Sequence, residues 1–397
     1  MRIAILREAT ASEPRVSASS DTVKRYVSLG ADVFVASGAG SASGIGDADY
    51  EGAGATVVAD NAAAVAGADI VLGVRRPEAA ALAGVKPGAL VIAIADPHGH
   101  EAALAEVAGT GVSLFAMELM PRITRAQVMD VLSSQANLAG YRAVIDAAAE
   151  FGRAFPMMMT AAGTVPAARV FVMGAGVAGL QAIATARRLG AVVSATDVRP
   201  AAKEQVESLG AKFIAVEDEE FKQAETSGGY AKAMSAEYQA KQAALTAAHI
   251  AKQDIVITTA LIPGRPAPKL VSADMVAAMK PGSVLIDLAV ERGGNVEGAV
   301  PGDVATTANG VKIVGHLNVP GRLAATASQL YAKNLYAFVE TLVDKGTKSL
   351  AVKWDDELVK ATLLTKDGAV VHPGFKPQEI AVEAAAAPAA AADVSAA

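Results

Sequence analysis

The chain has 397 residues, 52% of them hydrophobic but only 4% aromatic, and a formal net charge of −6. That length exceeds one ordinary core, so two domains are expected, and an apolar fraction rich in alanine suits helices on parallel sheets better than a β-sandwich. The absence of cysteine excludes disulfides, thiolate nucleophiles and sulfur-ligated metals, and no basic cluster exceeds the Arg75-Arg76 and Arg187-Arg188 pairs, which argues against nucleic acid as a partner.

Met1 to Leu6 is a short apolar run that meets Arg7 and Glu8. It reads as a first β-strand and is too short for a signal-peptide core. Leu29-Gly30 closes a helix before the strand-like residues 31–35, and Asp69-Ile70-Val71, Lys86-Pro87-Gly88 and the run Ala89 to Ile94 follow. The second half echoes this order. Leu189-Gly190 precedes residues 191–196, Asp254-Ile255-Val256 follows, and Lys280-Pro281-Gly282 leads into Ser283 to Leu288. The pattern predicts an α/β protein of two doubly wound, Rossmann-like domains with parallel sheets, joined by long helices.

Those helices are expected at Gln135 to Phe151 and near residues 328–345, with strand-like pieces at 349–353 and 369–372. Two helical crossovers return the C-terminal part to the first domain. The expected division is therefore 1–133 plus 315–380 for the first domain and 134–314 for the second, with a disordered Ala/Pro tail at 381–397. No segment supplies the roughly 20 apolar residues a membrane span needs. A cytoplasmic protein without direct membrane insertion is expected.

The strand-like Arg169 to Met173 runs directly into Gly174-Ala175-Gly176-Val177-Ala178-Gly179, a helix follows from Leu180 to Leu189, and the next strand ends at Asp197. Each glycine has a steric role: Gly174 in the tight turn, Gly176 for backbone approach to a pyrophosphate, and Gly179 for close helix–strand packing. Asp197 is placed to accept hydrogen bonds from the adenosine ribose and to repel a 2′-phosphate, which favours NAD(H). Arg199 could accommodate NADP(H) instead, but is expected to pair outward. The first domain lacks such glycines, so one dinucleotide per chain is expected.

The segment Glu118-Leu-Met-Pro-Arg122-Ile-Thr-Arg125-Ala-Gln127-Val-Met-Asp130-Val-Leu-Ser133, continuing to Tyr141, closely resembles the first domain of proton-translocating NAD(P) transhydrogenases. The likeness runs on through Arg153 to Gly163, the glycine motif, Thr258 to Gly264 and Val314 to Pro320, nearly the whole chain except the tail. It implies the NAD(H)-binding alpha-1 subunit of a Re/Si-specific transhydrogenase, working with an NADP(H)-binding subunit and a membrane-spanning, proton-translocating subunit. It also implies a homodimer that is peripheral at the inner membrane through its partners. By the same resemblance Arg122, Gln127, Asp130 and Ser133 surround the nicotinamide, and Thr259, Ala260 and Leu261 lie along the nicotinamide half of the cofactor. Residues 217–253 form a long insertion, and the resemblance gives its Tyr230 the part of closing over bound nucleotide. From the residues alone, Arg122 and Asp130 read equally as a paired charge cluster or as surface and capping charges at a helix start.

Two other readings stand beside this one. Alanine dehydrogenase has the same two-domain plan, and Arg15 matches its substrate arginine. However, Arg75 replaces its lysine, His98 and His100 sit on a displaced loop, and Glu291 replaces an aspartate. A non-enzymatic NAD sensor would not need the charged segment 118–141. His98-Gly99-His100 lacks the further ligands a metal site requires.

Overall fold

The computed structural model describes residues 1–223 and 234–376. Six strands form the first sheet: β1 (Arg2–Ile5), β2 (Asp32–Ala36), β3 (Thr56–Val58), β4 (Ile70–Arg75), β5 (Leu90–Ile94) and β6 (Ser113–Ala116). All pair in parallel, in the order β3-β2-β1-β4-β5-β6. The strands carry apolar residues on both faces because both faces are covered. Tyr331, Leu335 and Phe338 of the helix Ala324–Thr341 lie in the same core as Ile3, Ile5 and Ile70, so the C-terminal part does return to this sheet. Thr365 completes the return, donating to Val112 O at 2.9 Å and accepting from Leu114 N at 3.1 Å.

After the exposed hairpin β7 (Met158–Thr160) and β8 (Gly163–Val165) comes a seven-stranded sheet. It comprises β9 (Arg169–Met173), β10 (Val192–Thr196), β11 (Lys212–Phe213), β12 (Ile255–Thr258), β13 (Val284–Asp287), β14 (Val304–Thr306) and β15 (Lys312–Val314), ordered β11-β10-β9-β12-β13-β15-β14. Only β14 and β15 pair antiparallel. Both sheets are doubly wound, as the sequence predicts.

The connecting helix Val131–Glu150 begins four residues before the expected Gln135, because Asp130 caps it by accepting Ser133 N–H at 2.8 Å. The helix of the glycine motif likewise starts early, at Val177, and the third long helix spans Ala324–Thr341 rather than 328–345. The two strand-like C-terminal pieces shrink to two-residue strands in small ribbons, Ser349–Leu350 against Val343–Asp344 and Ala369–Val370 against Thr365–Lys366. Much of the long insertion is the helix Ala236–Ile250, whose Tyr238 and Ile250 are buried beside the second sheet. Tyr230 and the tail 381–397 lie outside the described residues. None of the described helices is long and apolar enough to cross a membrane.

Candidate functional site

Strand register assembles the centre of the site. Met173 of β9 pairs with Thr196 of β10 on one side and Thr258 of β12 on the other. Gly174, Asp197 and Thr259 therefore leave three adjacent strands at one level, at the crevice where the strand order reverses. Gly174 has φ +104°, and a Cβ there would stand 2.4 Å from Thr259 Oγ1, which donates to Gly174 O at 3.2 Å. At Gly179 a Cβ would lie 1.8 Å from Gly174 O, so only hydrogen fits. Gly176 is different: a Cβ there would touch nothing within 4 Å. It is the N-cap of Val177–Arg188, and no side chain caps that helix. Open space in front of an uncapped, positive helix end fits an anionic pyrophosphate, with Ala175 and half-exposed Val177 flanking the approach.

Asp197 is almost fully buried, and its two oxygens are already in use. Oδ2 accepts from Ala175 N at 2.7 Å and Arg199 Nη2 at 3.0 Å, while Oδ1 accepts from Arg199 N and Nε, both at 2.9 Å. Burial pushes this carboxyl up, but the Arg199 guanidinium and the two backbone N–H groups outweigh it and hold it below the usual carboxylate range. The expectation that Arg199 pairs outward is thus corrected. An arginine two residues beyond a strand-end aspartate can fold back on it as a bidentate fork.

The Thr259-Ala260-Leu261 turn has a support that the sequence does not reveal. Asn295, fully buried, accepts from Ala260 N at 3.0 Å and donates to Ala260 O at 2.9 Å and Pro268 O at 2.8 Å. It grips one peptide unit as a β-ladder neighbour would, while Leu261 and Ile262 stay half exposed. Nothing in the Gly293-Gly294-Asn295 string distinguishes this from a loop asparagine. Asn295→Asp should lose both donated bonds and set a carboxylate against two carbonyls, costing about 2–4 kcal/mol. Urea denaturation checks this, and an unchanged midpoint would contradict it.

Of the Arg122 segment, Arg122 and Gln127 are exposed on and before the short 3-10 stretch Thr124–Met129, while Asp130 and Ser133 are half-buried at the start of Val131–Glu150. Asp130 is taken up by Ser133, accepting from its N–H at 2.8 Å and its Oγ at 2.5 Å. Among the described residues no Arg122–Asp130 ion pair forms, so the paired-charge expectation gives way to the capping one. Arg125, not Arg122, makes a bidentate ion pair, with Asp356 at 2.8 and 2.9 Å.

What joins this segment to the glycine motif is the helix it begins. A Cβ on Gly140 would stand 2.0 Å from Ala178 O, so Val131–Glu150 crosses the first turn of Val177–Arg188 at backbone contact. Asn137 also donates to Gln181 Oε1 at 3.2 Å. On the far side, Arg292 just after β13 pairs with Asp96 just after β5, and the His98 ring lies against Gly264. The carboxyl ends of the two sheets therefore face each other. Asp96 has φ +45°, and its N–H and that of Ala95 are both held by Glu118, whose carboxyl burial pushes above its ordinary range.

The matching crevice of the first sheet is filled by its own side chains. Glu8, following β1, accepts from Val74 N at 2.7 Å and Arg75 N at 3.2 Å, bridging to β4. Arg15 is only 2% exposed. It donates to Glu13 at 2.7 and 2.6 Å and to Gln135 Oε1 at 2.8 Å, and Glu13 also accepts from Arg75 at 2.8 Å. An arginine so neutralised is poorly placed to take an amino-acid carboxylate. Among the described residues no His, Asp and Glu group could hold a metal.

Comparison with known proteins agrees with this architecture. Residues 4–139 match the alanine dehydrogenase/PNT N-terminal domain, and residues 143–373 match the alanine dehydrogenase/PNT C-terminal domain. The chain is 55% identical over 383 residues to the first of the separate chains that make up NAD(P) transhydrogenase subunit alpha in Rhodospirillum rubrum, covering 95% of this chain and all of that one. A crystal structure of transhydrogenase from Sinorhizobium meliloti superposes with a TM-score of 0.85 at 64% identity, over 94% of this chain and all of that one. An L-alanine dehydrogenase structure follows at TM-score 0.78 and 25% identity, over 94% and 98%. Two matched domains, an uncapped glycine turn and this level of identity make the chain a member of the alanine dehydrogenase/PNT family, on its NAD(P) transhydrogenase alpha-subunit branch.

Proposed function

We propose that this chain is the NAD(H)-binding half of a transhydrogenase that passes hydride to or from NADP(H) on a partner subunit. The observation that carries the reading is the backbone contact between Gly140 and Ala178. It ties the Arg122 to Ser133 segment to the uncapped turn Gly174–Gly179, so nicotinamide and pyrophosphate sites would be held in one rigid relation. When bound, the two nicotinamides supply all the redox chemistry, as hydride donor and acceptor.

The chain's own task is then to bind, orient and exclude water. Gly174, Ala175, Gly176, Val177 and Gly179 would receive the pyrophosphate, Asp197 the adenosine ribose, and Thr259, Ala260 and Leu261 the nicotinamide side. Arg122 and Gln127, exposed and outside the cap, would contact the carboxamide, with Asp130 and Ser133 fixing the turn beneath them. Tyr230, outside the described residues, is assigned the covering role by the family likeness. The division that goes with this reading joins 1–133 to 315–380 and leaves 134–314 to the nucleotide. The shared core of Tyr331 with Ile3 supports it.

The test is a coupled assay with an NADP(H)-binding transhydrogenase subunit. The mixture should transfer hydride between NADH and an NADP+ analogue, and this chain alone should not. Full exchange by the chain alone, or an L-alanine-dependent rate with NAD+, would overturn the reading. Coupling to proton movement belongs to a membrane-spanning subunit, which would place this chain in the cytoplasm, peripheral at the inner membrane.

A homodimer completes the proposal, supported by an apolar hairpin with no cover in the single chain. Met157, Met158 and Met159 are 61%, 42% and 78% exposed, which is unusual for three successive apolar residues. Met159→Lys should shift the chain from dimer to monomer in light scattering while leaving its melting profile two-state. A dimer that survives the change would place the contact elsewhere.

A further inference from the structure

Asp197 presents about four acceptor positions on its two oxygens, and the chain already fills them with Ala175 N, Arg199 N, Arg199 Nε and Arg199 Nη2. A ribose hydroxyl can donate to this carboxylate only by displacing a donor. The two backbone donors are fixed by the turn and by β10, so the displaceable group is the Arg199 side chain, one-third exposed against 7% for its partner.

Resting on the reading of this crevice as a dinucleotide site, we propose that Arg199 is a specificity-determining residue, a latent 2′-phosphate site held shut by Asp197. The guanidinium occupies the very oxygens a ribose would address, so it stands within reach of whatever the 2′ position carries. Toward a 2′-hydroxyl it yields, and the carboxylate takes the proton of the hydroxyl as a hydrogen bond. Toward a 2′-phosphate its five donors are the natural partner, yet while Asp197 is ionised the phosphate meets a buried negative charge and a fork already engaged. Selectivity for NAD(H) therefore depends on the pair. The aspartate excludes the phosphate twice over, by repulsion and by sequestering the one arginine that could bind it.

The experiment is calorimetric titration of NADH and NADPH into the full chain and into Asp197→Ser, Asp197→Asn, Arg199→Ala and the double variant Asp197→Ser/Arg199→Ala, each first shown folded by its melting curve. The parent should prefer NADH. Either Asp197 variant should weaken NADH about tenfold and strengthen NADPH about tenfold or more, the size of one charge-assisted contact. The double variant should lose that gain, and Arg199→Ala alone should hold NADH within about threefold of the parent because Ala175 N still orients the carboxylate. An NADPH gain that survives without Arg199, or none in either Asp197 variant while the parent binds NADH, overturns the proposal. A parent chain that binds neither nucleotide overturns the dinucleotide reading as well.

Discussion

Replacing Gly140 with alanine is expected to destabilise the chain by about 2 kcal/mol or more and to weaken NADH binding with it. An added methyl in a helix ordinarily helps, by about 1 kcal/mol relative to glycine. Here it would sit 2.0 Å from Ala178 O and 2.8 Å from Ala178 C, both backbone atoms of the glycine-motif helix. Neither atom can rotate away, so the two helices must separate, and overpacking of this kind costs about 1–3 kcal/mol or more. The separation carries the Arg122 to Ser133 segment away from the turn Gly174–Gly179, so NADH affinity should fall even in variant protein that remains folded. Guanidinium denaturation and NADH titration read the two effects separately. An unchanged or raised midpoint would show that the crossing is loose and would remove the main support for the proposed function.

Glu13→Gln is expected to have the larger cost, about 3–5 kcal/mol. It leaves the Arg15 guanidinium, 2% exposed, without the carboxylate that neutralises it, and takes from Arg75 its partner at 2.8 Å. Burial alone would raise the Glu13 carboxyl, but hydrogen bonds and charge from Arg15, with Arg75 behind them, bring it down to about 2. A depressed carboxyl contributes stability that is present above its ordinary value of 4.5 and lost as pH falls toward 2.

Its neighbour Glu8 has the opposite sign. Burial, only partly offset by the Val74 and Arg75 N–H groups, raises it to about 7. Its contribution is complete below 4.5 and disappears as pH rises to about 7, a window worth about 2–3 kcal/mol. The two together put the stability maximum of this cluster near the low end of that window. Denaturation at stepped pH should therefore show Glu8→Gln with a flattened slope between acid and neutral pH and Glu13→Gln with a flattened slope on the acid side. Slopes parallel to the parent's would refute the assignment.

Much of the fold is legible in the chain because the forces involved are local. The alternation of apolar runs with Leu-Gly caps and Lys-Pro-Gly turns marks β1, β2, β5, β9, β10, β12 and β13. The steric demands of Gly174 and Gly179 follow from a turn and a helix only a few residues long. Helix starts lie three or four residues ahead of the expected Gln135, Leu180 and Ser328, since a cap depends on one side chain or one backbone dihedral rather than on periodicity.

By itself, then, the sequence determined two doubly wound sheets, one glycine turn at a strand end, and an acid at the tip of the next strand. Tertiary structure decided which partners those groups found. Gly140 meets Ala178 only because two helices cross there, and Asn295 grips Ala260 across 35 residues. Arg15 finds Gln135 across 120 residues. Arg199 is the instructive exception, close to Asp197 in sequence yet turned toward it rather than away. A carboxylate's choice among donors is set by how deeply it is buried and which backbone N–H groups reach it. Those are properties of the assembled crevice, and they turn an acid at a strand tip into one already held by its own arginine.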